Sequence, residues 1–278
     1  DYSAVPVFPV AVYPIVISVQ RRKPTSADSV CYERVTISDG SRTVTEPRSL
    51  PYDNRFLNPA DTWPGFGHAD ADALVSLLRE RGKPLESYAA VTGAATVGEA
   101  YEIAEIVREG SPETGSYALV NSGLIDPYMN MWGSKPCRYL GSKYTHPVVD
   151  QSELQKLSRT RDDQARTAKI IISGMTKRLE CVGDHDGAVL AGKSTTIVLP
   201  NREVPLRYIL GILNSSLMSV YYSAVFGGNR LAGGYLRIGP PQIRTLPIAW
   251  PVSKAQVQAL SDAVQGVEAA TKSAGVAS

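Results

Sequence analysis

Between Val204 and Ser253 the chain contains no aspartate or glutamate, yet it carries Arg207, Arg230, Arg237 and Arg244. Few stretches of a globular protein run that long without a carboxylate, and this one has a readable order. Pro205 suits a first helical position, where its missing N–H costs nothing. Ile209, Ile212, Leu213, Leu217, Val220 and Tyr221 recur at three- and four-residue spacing and predict one buried helical stripe. Two glycine pairs, Gly227-Gly228 and Gly233-Gly234, then bracket Asn229 and Arg230. Paired glycines let a backbone approach another molecule closely or take positive φ. Tyr235 to Ile238 alternates as a strand does, and Pro240-Pro241 is expected to stop it. Spaced arginines on pliable, carboxylate-free backbone suit a polyanion. A core helix, a loop and an edge strand account for the same residues.

Charge elsewhere is distributed in a way that bears on this choice. The net charge of the 278 residues is only +2. Residues 138–178 nevertheless hold nine cations against four carboxylates, or +5, which leaves −3 for the other 237. A local basic excess on a nearly neutral chain is the footprint of nucleic-acid binding. At 43% hydrophobic and 20% charged, the composition is that of an ordinary globular protein able to bury a core. Cys31, Cys137 and Cys181 are odd in number and widely spaced, so neither a zinc site nor a disulfide framework is indicated, and a reducing cytoplasm is the expected compartment. No apolar run reaches membrane-spanning length and no secretory leader opens the chain, so no membrane partner is expected. The chain begins at Asp1, and we expect it to be a fragment of something longer.

Taken in order, Val12 to Val19 is rich in β-branched residues and predicts a buried strand, with a second strand over Val30 to Ile37. Ser41 to Gly67, with four prolines, predicts a loop or arm. Ala71 to Arg81 predicts a helix closed by Gly82, and Glu99 to Glu109 another closed by Gly110. Tyr117 to Val120 predicts a strand running into the turn Asn121-Ser122-Gly123. Next, Arg138, Lys143 and Tyr144 crowd a short loop with Trp132 and Tyr139, where cations among aromatics suit phosphate contact and packing on sugar or base. Trp132 and Tyr139 themselves read better as core, with the cations solvated. Lys169 to Asp184 predicts strand, turn, strand, and Ala188–Leu190 and Thr195–Leu199 continue the sheet. A final helix over Pro251 to Lys272 opens on the capping box Ser253-x-x-Gln256, with Val257, Leu260, Val264 and Val267 as its apolar stripe.

Three blocks resemble the TaqI-like C-terminal specificity domain of DNA adenine methyltransferases and the fused Type IIG restriction-modification enzymes. The first is Asn-Ser-Gly, Ile-Asp-Pro-Tyr, Trp-Gly, Arg-Tyr-Leu-Gly and Lys-Tyr over 117–147. The second is the lysine, isoleucines, Lys177-Arg178-Leu179 and Asp186-Gly187 run. The third is the helix with Leu213-Asn214-Ser215, the glycine loop, Tyr235-x-Arg237 and Leu246-Pro247-Ile248. The resemblance covers roughly 80–270. It implies that Lys177 and Arg178 lie in a DNA cleft and that Thr92, Gly93, Thr96 and Gly98 form an early loop facing DNA, although helix capping explains Thr96 and Gly98 as well. It further implies a flipped adenine and S-adenosylmethionine as methyl donor in the intact enzyme. The methyltransferase signature Asn/Asp/Ser-Pro-Pro-Tyr/Phe is not met by Asn58-Pro59-Ala60-Asp61, and no glycine-rich loop after a strand is available for the cofactor. No cofactor and no catalysis are therefore expected of this piece alone.

Gly187 to Ser194 satisfies the phosphate-loop spelling, but polar turn residues precede it and a β-branched run follows, where the mechanism needs a strand before and a helix after. Asp184-His185-Asp186 lacks further ligands for a metal.

The expectation is an α+β chain with a mixed, largely antiparallel sheet and peripheral helices, preceded by trailing strands of a methyltransferase-like fold. Residues 1–46 are those strands or a first hairpin, 47–82 a linker and helix, 83–250 the target recognition domain and 251–278 the last helix. The expected partners are double-stranded DNA and a methyltransferase domain. Arg138, Lys143, Tyr144, Lys177 and Arg178 are expected on phosphates, and Asn229, Arg230 and Arg237 on bases, since Arg pairs bidentately with guanine and Asn with adenine. The alternative is an assembly module that docks a methyltransferase or nuclease subunit without reading bases.

Overall fold

The computed structural model describes residues 2, 5, 7, 8, 14–52, 69–111, 113, 115–227, 231, 234–250 and 252–276. They fall into two compact units, one of residues 1–76 and 220–237, the other of residues 77–219 and 238–278.

In the smaller unit the antiparallel pair Ser29–Ser38 and Ser41–Pro51 closes on Asp39-Gly40, both at positive φ (50° and 74°). Asp-Gly is the sequence that a two-residue hairpin turn of this twist favours. The expected strand over Val30–Ile37 is thus present, but its partner is the segment taken for loop. Residues 14–19 are irregular, with Val16 70% and Val19 80% exposed. β-branched composition marks a segment that fits a sheet, but a strand also needs a neighbour, and the tight turn delivered Ser41–Pro51 instead. Pro47 is tolerated because a two-stranded ribbon consists of edges. Asn58 to Asp61 lies outside the described residues.

Helix α1 (Ala69–Arg81) ends at Gly82, whose N–H donates to Leu78 O at 2.9 Å. The larger unit is layered. One sheet has the spatial order Val189–Ala191, Ser116–Val120, Pro147–Asp150, Val107–Glu109; the first pair is parallel and the others antiparallel. The second sheet runs Cys181–Asp184, Lys169–Ser173, Thr195–Pro200, Ala89–Gly93, antiparallel throughout. Val120 and Ala191 of the first sheet meet Ile171, Val182 and Ile197 of the second in one apolar core. Tyr117 and Leu119, on the opposite face, form another core with helices α2 (Val97–Ile106), α3 (Gln151–Leu157) and α4 (Arg159–Ala165). A strand covered on both faces reads as a continuous apolar run, which is why Tyr117–Val120 shows no alternation. These sheets and helices make the chain α+β and largely antiparallel.

The carboxylate-free stretch folds differently from its pattern in two places. The expected single helix is two, α5 (Leu206–Leu213) with Pro205 at its N-cap, and α6 (Ser216–Phe226). The break falls at Asn214, whose side-chain amide accepts from Cys181 N and donates to Cys181 O, each at 2.9 Å. Ile209, Leu213 and Tyr221 are buried, but Leu217 (48%) and Val220 (49%) are exposed, because the break rotates the stripe out of phase. Pro240-Pro241 does not merely stop a strand; it opens α7 (Pro240–Arg244), the first turn being where proline is tolerated. Helix α8 (Lys254–Val276) starts on the expected box, Ser253 N donating to Gln256 Oε1 (3.1 Å) and Gln256 N to Ser253 Oγ (3.2 Å). It packs on α5 at Gly211, where a Cβ would stand 2.8 Å from Val264. Val267 is exposed, and Glu268 is buried instead, receiving Arg207 Nε at 2.9 Å and facing His185 Nε2 at 2.7 Å.

The entry to α2 carries a measurable acid sensitivity. Thr96 and Glu99 form a reciprocal capping box, and Arg161 Nε donates to Glu99 Oε1 at 3.0 Å. Partial burial pushes the Glu99 carboxyl up, but the Thr96 N–H, the Arg161 guanidinium and the Thr96 hydroxyl outweigh it and hold the pKa at about 2, from 4.5. A depressed carboxylate contributes stability above its unfolded pKa and loses it as pH falls through the folded one. With the side chain 21% exposed, solvent screening leaves about 2 kcal/mol of that shift. Glu99→Gln should therefore lower the denaturation midpoint at pH 7 and cost progressively less as pH falls from 4.5 towards 2. An equal cost at both ends would exclude the charge as the cause.

Candidate nucleic-acid interface

The turn Asn121-Ser122-Gly123 ties three segments of the larger unit together. Asn121 Nδ2 donates to Arg138 O (2.7 Å), while its Oδ1 accepts from Gly123 N (3.1 Å). Ser122 Oγ donates to Ser194 O (2.5 Å) and accepts from Gly174 N (2.9 Å). Ser122 O accepts from Ser173 Oγ (3.1 Å), and Ser122 N donates to Ser194 Oγ (3.3 Å). One three-residue turn thus positions the hairpin that begins at Cys137, the end of strand Lys169–Ser173 and the turn at Lys193-Ser194. Small polar side chains suit that task, because each offers a donor and an acceptor close to the backbone.

Each tied segment presents cations. The stretch 137–144 is not a loop but a two-stranded hairpin, Cys137–Tyr139 with Ser142–Tyr144. Arg138 and Lys143 are exposed and directly opposite each other in its register. Like charges across a strand pair repel, so this face is relieved when an anion covers it. Lys177 and Arg178 are exposed beyond Met175–Thr176. Arg178 lies 3.8 Å from Glu180, so part of its charge is compensated. Lys193 is exposed at the third segment. Sequence reading passed over Lys193 because it matched the residue only to a phosphate loop.

The other expected contacts are placed as follows. Tyr144 alternates away from Lys143, half-buried, with its ring against both apolar cores. Trp132 and Tyr139 pack with those cores, Trp132 donating from Nε1 to Pro147 O at 2.9 Å. Arg237, in the smaller unit, is exposed, and its carbonyl accepts from Tyr222 Oη at 2.9 Å. Asn229 and Arg230 lie outside the described residues, as do Gly228 and Gly233. Arg207 is paired to Glu268, and Arg244 donates twice to Val91 O (3.1 and 2.8 Å). Two arginines of the carboxylate-free stretch therefore serve the fold, one through a carboxylate supplied by α8.

The basic segment is likewise less basic at its surface than in composition. Arg161 is bound to Glu99, Arg166 to Asp162 and Asp163, and Lys169 to Asp184. Glu99 and Asp184 lie outside 138–178, so a window count could not include them. Thr92 and Gly93 belong to strand Ala89–Gly93 and not to a free loop. Gln164 Nε2 donates to Thr92 Oγ1 (3.2 Å), and Thr96 caps α2. After Ser194 comes strand Thr195–Pro200 and not a helix. Gly187 has φ 66°, and a Cβ there would lie 2.1 Å from Arg166 O, so its glycine answers to packing. Asp184 and His185 are engaged by Lys169 and Glu268. Among the described residues no group of three His, Cys, Asp or Glu could hold a metal, and no single helix is long and apolar enough to cross a membrane.

The hairpin, the Lys177-Arg178 segment and the Lys193 turn all fall within one stretch of known type. Residues 134–248 match the TaqI-like C-terminal specificity domain. The match is narrower than the 80–270 of the resemblance and begins after the Asn121 turn that braces the domain. Among curated proteins none matches the chain. Among solved structures, the type IIG restriction endonuclease BpuSI is similar, with a TM-score of 0.47 and 10% identity, over 79% of this chain and 30% of that one. This chain thus spans under a third of that enzyme's length.

Proposed function

We propose that this chain is the target recognition part of an adenine-specific DNA methyltransferase or Type IIG restriction-modification enzyme. It binds a short duplex sequence and presents an adenine to a catalytic domain that holds S-adenosylmethionine. The chain itself catalyses nothing in this reading, and its partners are double-stranded DNA and that methyltransferase domain, in the cytoplasm. The observation that carries the proposal is the cationic hairpin face within the specificity domain, Arg138 opposed to Lys143 and held by Asn121. Opposed cations destabilise an isolated hairpin and are matched by a polyphosphate.

The test is a titration of the chain, joined to its catalytic domain, against cognate and scrambled duplexes over a range of salt. Arg138→Ala, Lys143→Ala or Lys177→Ala should weaken both duplexes about equally and lower the salt slope by about one each. Arg230→Ala or Arg237→Ala should cost ~1–3 kcal/mol on the cognate duplex and far less on the scrambled one. Unchanged affinity throughout would favour the assembly module. Equal weakening by Arg237→Ala on both duplexes would move that residue to the phosphate class.

A further inference from the structure

The tip of the cationic hairpin is a two-residue turn, Leu140-Gly141, with φ values of 42° and 97°. Turns of this hand favour Asn-Gly or Asp-Gly, because the first residue must take positive φ. The same chain obeys that preference at Asp39-Gly40. Leucine is a poor choice there: its Cβ crowds the following carbonyl in the left-handed region. The side chain gains little in return, since Leu140 is 43% exposed and belongs to neither apolar core. The position therefore carries both backbone strain and exposed apolar surface. Local strain of this kind is retained where a site uses it.

The immediate surroundings point to the use. Arg138 and Lys143 stand on either side of the tip, exposed and opposite each other. A hairpin with cationic flanks and an apolar end has the profile of a β-ribbon entering a DNA groove, with the flanks on phosphates and the end against bases. Leucine is also among the side chains that wedge between base steps. We propose that Leu140 enters a groove of duplex DNA and packs on a base step, partly unstacking it, and that this contact contributes to sequence preference. The inference rests on the DNA-recognition reading above and adds to it a specificity residue that is neither charged nor polar.

Leu140→Gly gives a test in which fold and function move in opposite directions. Glycine relieves the left-handed strain, so the variant should melt at or above the wild-type temperature. The full chain is first used to enrich a preferred duplex from a random pool. Wild type and variant are then titrated against that duplex, against a scrambled one, and against versions with 2-aminopurine at each adenine in turn. Wild type should brighten 2-aminopurine at one step and prefer the enriched duplex. Leu140→Gly should lose that signal and roughly ten-fold of the preference while binding the scrambled duplex nearly as before. A variant that keeps both signal and preference overturns the wedge, and so does a wild type that binds DNA without brightening any position. In either case Arg138→Ala and Lys143→Ala still report on the DNA reading. A wild type that binds no duplex, by itself or joined to its catalytic domain, removes that reading and the wedge with it.

Discussion

Replacing Lys169 with methionine is expected to destabilise the protein by ~3–5 kcal/mol, the range for removing one partner of a buried ion pair. Lys169 is fully buried and Asp184 is 5% exposed, and the two are bonded across neighbouring strands. Burial pushes the Lys169 amine down from its ordinary pKa, and the Asp184 carboxylate beside it opposes the shift. The ammonium also donates to Ala165 O (3.0 Å) and Thr167 O (3.2 Å), at the end of α4. The carboxylate accepts from Ala188 N (3.0 Å) and Val189 N (3.2 Å), at the start of a strand in the other sheet. The pair therefore fastens α4 and both sheets at one point. Methionine fills the volume but leaves Asp184 as an uncompensated buried charge. Adding Asp184→Asn should restore part of the loss, because the amide oxygen keeps an acceptor for one of those two backbone donors while the buried charge is removed. Urea denaturation of the two variants decides the matter. A single variant within about 1 kcal/mol of wild type would mean that no buried charge is stranded.

Gly174→Ala should cost about 3 kcal/mol, at the upper end for overpacking a site that cannot relax, and should abolish DNA binding while leaving the chain folded at low temperature. An added Cβ would lie 2.2 Å from Ser194 O, a backbone atom. That oxygen already accepts from Gly174 N (3.0 Å) and from Ser122 Oγ (2.5 Å), so moving it breaks the join between the 122, 174 and 194 segments. Ser122→Ala is the informative comparison. It removes hydrogen bonds at the same place without a clash and should cost about 1 kcal/mol, with weakened but measurable DNA binding. Should Gly174→Ala fold normally and bind duplex normally, the turn would be a bystander and the cations would be positioned by other contacts.

Much of this architecture was legible in the residues. The helix over 71–81, the strand Tyr117–Val120, the isoleucine strand from Lys169 and the capping box at Ser253 each follow from short-range rules, and the structure has them nearly as read. The specificity-domain resemblance was carried by ordered local spellings, and the family match falls on 134–248. The sequence by itself also ruled against the phosphate loop, because a β-branched run cannot supply the helix N-terminus that motif requires.

Only the tertiary structure decided where charge and strain are spent. Glu99 reaches Arg161 from 62 residues away, Asp184 reaches Lys169 across a strand pair, and Glu268 reaches Arg207 from α8. Counting charge in a window cannot distinguish these cations from Arg138 and Lys143, since ion pairing depends on distance in space and the pattern records distance along the chain. Pairing likewise chose Ser41–Pro51 over residues 14–19, because strands are stabilised by neighbours and a two-residue turn brings its neighbour at the least entropic cost. The break at Asn214 was hidden for the same reason: its cause is the backbone of Cys181, 33 residues earlier. That Leu140 sits at positive φ follows from the two-residue register of Cys137–Tyr139 with Ser142–Tyr144, a pairing that the cores on either side of Tyr139 and Tyr144 hold in place.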